Sequence, residues 1–482
     1  MDVVLVASEV APFSKTGGLG DAVAALARAL VRAGHRAWTV SPRYRGAAPD
    51  ASPTGHTITV PLAGFDHQVA LLRVARDGVE HLFVDHPMFD RDGLYGDRGG
   101  AFGDNHLRFA LLSQGALHAA HLFASDDVVL HAHDWQAALV PIYLKAAWRS
   151  VGLLGGAATV LTLHNPAHQG RFGGGLFADL ELPPRWFTPG GLEFHGDLGL
   201  LKGGILHAGE VTTVSPTFAK EVVTPGGGFG LERVLAARLP TGILNGVDPG
   251  EWNPATDLHL AAKYGADDAR DGRALCKAAL QAELGLPIDG DAPMVGWVGR
   301  LDPQKGIQLL VESIPWLASE DVQVVVLGSA AAPHAVFEDQ LRDQERELPH
   351  HVRAWIGYSE PVAHRIVASA DLFAMPSVFE PCGLTQMYAQ RYGSIPVVRR
   401  TGGLADSVDA IDVDADTGTG FLFDLPTGRA LRDAMWAGIS LFRDDRAAFE
   451  RAGQRGMIRD FSWDRAVPEY VAVYVRALAS NR

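Results

Sequence analysis

Short β-branched runs alternate with Ala/Leu-rich stretches of helical period along most of this chain. That alternation restricts it to parallel sheets covered by helices on both faces. Val3–Ala7 reads as a buried strand, and a helix is predicted over Asp21–Ala33. Val128–Leu130 precedes a predicted helix over Gln136–Ala147, and Thr159–Leu163 is a further strand. In the second half, Met294–Val298, Val322–Leu327, Leu372–Met375 and Ile395–Val398 are strands with helical sequence beside them. Ligands bind beyond the carboxyl ends of such strands, so chemistry is sought just after each apolar run.

A chain of 482 residues holds two or three domains at roughly 100–200 residues each. Turn residues bunch between Leu239 and Asn253, and a second strand series starts near Pro293. The predicted domains are therefore 1–242 and 243–460, with 461–482 as a terminal helix. Apolar residues at helical spacing over Ser462–Leu478 suit a helix that returns across the first domain.

The net charge of −14 and the lack of a long Lys/Arg run argue against a nucleic-acid partner, because such binding depends on neutralising phosphates. A neutral polysaccharide is not repelled. No apolar stretch approaches the roughly 20 residues that span a bilayer, and the N-terminus has no basic leader. Cys276 and Cys382 lie far apart and form no disulfide framework or metal pattern. A cytoplasmic protein without a membrane partner is expected.

Two glycine turns echo each other. Lys15-Thr16-Gly17-Gly18-Leu19-Gly20-Asp21 and Arg400-Thr401-Gly402-Gly403-Leu404-Ala405-Asp406 share five of seven residues. Either Gly-Gly serves only the tight strand-to-helix turn, or both loops present backbone N–H groups and a cation to an anionic ligand. Arg300 and Lys305 follow the strand Met294–Val298, where two cations can clamp a diphosphate and offset its growing charge. After Leu372–Met375, Pro381 keeps Glu380 extended and out of the next helix. Glu380 is then placed to accept hydrogen bonds from sugar hydroxyls. The N–H groups of Gly383, Leu384 and Thr385 are left to receive phosphate oxygens. Cys382 reads as a packing residue, since no His partner is near it. His131, His133 and Asp134 lack the companions of a four-ligand metal site. His133 suits a hydrogen bond to a sugar, and His131 a buried structural place.

Together these motifs closely resemble the bacterial glycogen synthases and plant starch synthases that use ADP-glucose. The resemblance runs through Lys15–Asp21, His131–Trp135, His164-Asn165, Thr213–Pro216, Leu244–Asp248, Arg300–Gly306, Gly357-Tyr358, Phe379–Thr385, Tyr392–Val408 and Phe461–Trp463. A plant enzyme would carry a transit peptide, and none is read here, so the bacterial form is expected. The resemblance implies an α/β GT-B architecture, two Rossmann-like doubly wound domains around a deep cleft. It implies retaining transfer of glucose from ADP-glucose to the non-reducing 4-hydroxyl of an α-1,4-glucan, with no metal or other cofactor. By the same resemblance His133, Arg300, Lys305 and Glu380 form the catalytic set. Lys15, Gly17, Gly18, Asp21, Asn245, Tyr358, Cys382, Gly383, Leu384 and Thr385 contact substrate, Tyr358 against the adenine.

Two departures stand out. Many relatives in the wider retaining class carry a second Glu eight positions after the first, and here that residue is Tyr388. Pro166 and His168 stand where relatives usually have an aliphatic residue and a Tyr. The alternatives are a transferase for another nucleotide sugar such as UDP-glucose, and a non-catalytic glucan-binding protein, which would not need the basic pair with Glu380. An oxidoreductase lacks its Gly-x-Gly-x-x-Gly turn after Val3–Ala7.

Overall fold

The computed structural model describes residues 1–97, 100–331 and 333–481. The chain divides into two units, Met1–Gly246 with Trp463 onward, and Val247–Ser462.

In the first unit, β1 (Asp2–Val6), β2 (Arg36–Pro42), β3 (Ser52–Leu62), β4 (Phe65–Arg76), β5 (Val79–Asp85), β6 (Val129–His133), β7 (Ala158–Leu163), β8 (Glu210–Thr213) and β9 (Thr241–Gly242) form one sheet. Their order is β9-β8-β7-β6-β1-β2-β5-β4-β3. Val3 and Leu5 of β1 join a core with helices Gly18–Arg32 and Trp463–Ala479. Val4 and Val6 join the opposite core with helix Asn105–Phe123. That division is what a strand buried on both faces requires.

The sheet is not wholly parallel. β3 and β4 pair antiparallel, as do β4 and β5. Alternation through Thr57-Ile58-Thr59-Val60 and the Asp77-Gly78 turn, at φ 53° and 77°, are the hairpin signals that mark this edge. Two local boundaries also differ from the sequence expectation. The strand expected to stop at Leu130 runs on to His133. The helix expected over Gln136–Ala147 is broken into Asp134–Ala137, Val140–Tyr143 and a wider turn at Leu144–Trp148. Pro141, which has no N–H to donate, lies at the second piece.

In the second unit, β10 (Met294–Val298), β11 (Gln323–Gly328), β12 (Val352–Ile356), β13 (Leu372–Met375), β14 (Ile395–Arg399) and β15 (Phe421–Phe423) are all parallel. The order β12-β11-β10-β13-β14-β15 reverses direction between β10 and β13, and the crevice beyond that reversal is the ligand position of such sheets. In the first unit the order reverses in the same way between β1 and β6.

Candidate active site

Each unit gathers polar groups at its own reversal point. In the second, Val378 N–H donates to the Gln304 carbonyl at 2.8 Å, tying the loop after β13 to the loop after β10. Gly306 has φ 69°, and a Cβ there would lie 2.0 Å from the Pro376 carbonyl oxygen, so this contact admits only glycine. The tie brings Lys305 Nζ to 2.7 Å from Glu380 Oε2. Ser377 Oγ donates to the same oxygen at 3.0 Å. Glu380 is buried, so its charge is held by Lys305 rather than by water. Arg300 stands apart, paired with Asp302 at 3.1 Å and with Gln304.

Leu384 caps the helix Thr385–Arg391. The N–H groups that open this helix are beyond the reach of its own carbonyls. Gly383, at φ 70°, and the Gln386 amide, which donates to the carbonyls of Cys382 and Gly383, shape the turn before it. Cys382 is a buried cysteine, not in a disulfide, within that turn. Tyr358, just past β12, is 79% exposed.

The second glycine turn is not open to an anion. A Cβ on Gly402 would lie 2.0 Å from the Glu380 carbonyl oxygen, and one on Gly403 2.0 Å from that of Cys382. Gly403 N–H donates to the carbonyls of Glu380 and Pro381. Of the two readings of Arg400–Asp406, this packing fits the tight structural turn, a brace behind the Glu380 turn, and Arg400 itself pairs with Asp424. Close packing at the backbone is the reason.

The first glycine turn differs. A Cβ on Gly17 would meet nothing within 4 Å. An internal carboxylate already caps part of it: Glu9, buried after β1, accepts from Thr16 N–H at 2.5 Å, Thr16 Oγ1 at 2.8 Å and Gly17 N–H at 3.3 Å. Tyr95 also donates to Glu9. Gly18 begins the helix, and Lys15 lies 2.8 Å from Asp21 in its first turn. Asn245, near the end of this unit's first segment, is buried. Its Oδ1 has no partner among the described residues.

Three imidazoles line the neighbouring strand ends. His133 Nδ1 is 2.9 Å from His164 Nε2. Its Nε2 has no partner among the described residues. His131 bonds Tyr474 through Nδ1 at 2.9 Å and Thr162 through Nε2 at 2.6 Å. Burial, with help from His164, pushes His131 down to about 3. Burial also carries His133 well below the usual imidazole range and lowers His164. Both are therefore neutral near pH 7. Asp134, at φ 57°, accepts from the N–H groups of His164 and Asn165 and so joins the ends of β6 and β7.

Glu9 and Ser377 are absent from the site residues read from sequence, and His164 is there only as part of the His164-Asn165 motif, with no role given to it. Glu9 was detectable in principle as the first acid after β1. Ser377 and His164 gain their contacts only through loop packing. Among the described residues no group of three or more His, Cys, Asp or Glu is arranged to hold a metal ion. None of the helices described is long and apolar enough to cross a membrane.

Residues 2–237 match the model of the starch synthase catalytic domain, and residues 292–437 match that of glycosyl transferases group 1. The glycogen synthase of Anaeromyxobacter sp. (strain Fw109-5) is 45% identical, with 100% of both chains covered. The chain belongs to the glycogen and starch synthase family. It is 40% identical to soluble starch synthase 1 of Solanum tuberosum, covering 99% of this chain and 78% of that one. The catalytic domain of starch synthase IV from Arabidopsis thaliana, solved bound to ADP and acarbose, superposes with a TM-score of 0.92 at 35% identity over 99% of each chain. This family member is thus a glycosyltransferase with the GT-B fold. Sucrose-phosphate synthase from Thermosynechococcus elongatus, at 17% identity and a TM-score of 0.61, shares the fold.

Proposed function

We propose that this synthase transfers glucose from ADP-glucose to the non-reducing 4-hydroxyl of an α-1,4-glucan with retention, releasing ADP, and that it needs no metal ion. The observation that carries this reading is the Lys305–Glu380 pair at the reversal point of a parallel sheet, with Arg300 on the loop after β10 and the start of helix Thr385–Arg391 after β13.

Breaking the bond between C1 and the phosphate oxygen leaves negative charge on ADP and positive charge on the sugar. Lys305, Arg300 and the amides of Gly383, Leu384 and Thr385 are the donors for that negative charge. Preorganised donors of this kind supply roughly 3–4 kcal/mol each. Glu380 holds Lys305 in place and accepts from glucosyl hydroxyls. His133, a neutral imidazole with Nε2 unpaired, hydrogen-bonds the sugar without adding a charge. The bond from C1 to the acceptor oxygen forms as the acceptor proton passes to the departing phosphate oxygen. Lys15, Gly17, Gly18, Asp21 and Asn245 contact substrate from the first unit, Tyr358 meets the base, and Cys382 serves through its turn. Tyr388, where the wider class has a second Glu, stacks on Trp252 at 3.9 Å with the rings 3° from parallel. It supplies no second carboxylate to the reaction.

Release of ADP or UDP from ADP-glucose or UDP-glucose in the presence of glycogen tests the proposal. ADP release from ADP-glucose is expected to dominate, and its absence from a folded protein overturns the reading.

A further inference from the structure

A pocket of about 570 Å³ lies in the second unit, lined by residues that precede the amino ends of β10, β13 and β14. Lys305 and Glu380 follow carboxyl ends of the same parallel sheet, so this pocket is at the opposite end from the candidate active site. Its volume is within the roughly 300–1,000 Å³ usual for small-molecule sites.

Helix Ala269–Leu284 supplies Arg270, Arg273 and Lys277, and the next two walls add Arg443 and Arg446. The facing carboxylates are Asp291, Asp371 and Glu450. Five cations to three carboxylates is an excess of positive charge in a chain whose net charge is −14.

Two of these cations are structural. Lys277 bonds Asp371 at 2.7 Å and the Ala292 carbonyl at 2.7 Å. Arg273 donates to the carbonyls of Tyr392 and Ala370. Arg443 is engaged outside the pocket, donating to the Glu320 carbonyl with the Glu320 carboxylate 4.0 Å away; Arg270 and Arg446 keep donors to spare, since a guanidinium carries five N–H bonds. Arg446 lies over the Phe442 ring at 3.4 Å and uses one nitrogen on the Gly290 carbonyl at 3.1 Å, the same nitrogen standing 3.8 Å from Asp291. Arg270 stands 3.6 Å from Glu450, beyond hydrogen-bond length.

A second observation is independent of charge. Ser369 lines the pocket and is 2% exposed, and its Oγ has no hydrogen-bond partner among the described residues. A hydroxyl buried to that degree ordinarily has one.

We infer that this pocket binds a hexose monophosphate. Planar arginine donors match a phosphate. Ser369, Glu450 and Gln454 are hydroxyl partners, and Phe449 and Met457 add apolar atoms to the wall. The inference does not depend on the donor reading, because none of its residues belongs to the candidate active site.

Equilibrium dialysis of the full chain with radiolabelled glucose 1-phosphate tests it. Saturable binding is expected, about tenfold or more tighter than that of inorganic phosphate. Losing one charge-assisted bond in Arg446→Ala weakens it by about tenfold or more. Arg270→Gln, on a side chain 75% exposed and so harmless to folding, weakens it in the same direction. Lys305→Ala leaves it unchanged. Binding lost in Lys305→Ala but kept in both arginine variants would assign the ligand to the donor site and overturn the inference. So would equal affinities for the two anions, or no saturable binding.

Discussion

The two glycine turns share most of their residues and do different work. Around Gly17 there is open space, and the turn's first amides are capped by the buried Glu9 carboxylate. Gly402 and Gly403 are pressed against the carbonyls of Glu380 and Cys382. One turn leaves a surface beside a helix start; the other holds the Glu380 turn in shape. The surroundings differ in charge as well. Neutral histidines line the strand ends near the first turn, and the Lys305–Glu380 ion pair sits against the second. A repeated motif therefore reports the backbone geometry it needs and not the role it serves.

The largest effect is expected where the braced turn meets chemistry. Lys305→Ala and Glu380→Gln should lower turnover by about 10²–10³-fold, the usual loss for one preorganised electrostatic group. Glycogen binding should change little. Steady-state rates and a glycogen co-sedimentation assay separate the two, and equal losses would move these residues to an acceptor role.

Acid should then distinguish the units. His131 titrates at about 3 in the fold against roughly 6.5 in an unfolded chain. The unfolded chain binds the extra proton first, so this stability is present above pH 6.5 and lost as pH falls toward 3. The slope is roughly 1.4 kcal/mol per pH unit. In the second unit, burial raises the Asp257 carboxyl, but hydrogen bonds from His364, Tyr392 and His259 N–H outweigh it and hold it at about 2. Its contribution persists until the pH drops below roughly 4. Hydrogen exchange between pH 6.5 and 4 should show the first unit loosening before the second, and His131→Gln should flatten that dependence.

Packing gives the next contrast. Gly403→Ala forces a Cβ onto a carbonyl and should cost about 1–3 kcal/mol, a fall of several degrees in Tm at about 2–4 °C per kcal/mol. Gly17→Ala should leave Tm within about 1 °C, since Gly17 has an extended backbone that any residue adopts. Equal shifts in thermal unfolding would erase the distinction between the turns.

The smallest expected effect on turnover concerns the terminal helix. Tyr474→Phe removes the partner of His131 Nδ1 and should cost about 1–3 kcal/mol. Because the His131 and His133 rings are 4.1 Å apart, kcat should fall a few-fold with KM for glucan unchanged. A drop in Tm alone would make the contact purely structural.

Much of this architecture was legible in the sequence because runs such as Val3–Ala7 and Met294–Val298 are apolar without alternation, the mark of strands covered on both faces. The cations after β10 and the acid after β13 were legible for the same reason, since they follow such runs directly. The antiparallel edge was missed, although the Asp77-Gly78 turn announced it. The separate fates of the two glycine turns were not legible. Whether a glycine faces space or a carbonyl depends on which distant loop folds against it, here Glu380–Cys382 on Gly402-Gly403. The Glu9 cap on Thr16 and Gly17, and the contact of Lys305 with Glu380, are likewise products of packing between segments.

The most direct test of the account is to supply ADP-[¹⁴C]glucose with glycogen and digest the product with an exo-enzyme that removes maltose from α-1,4-linked non-reducing ends. Label should enter the polymer at full rate in the presence of a metal chelator and be released as maltose. Label appearing only as free glucose, or in polymer that resists the exo-enzyme, would contradict it.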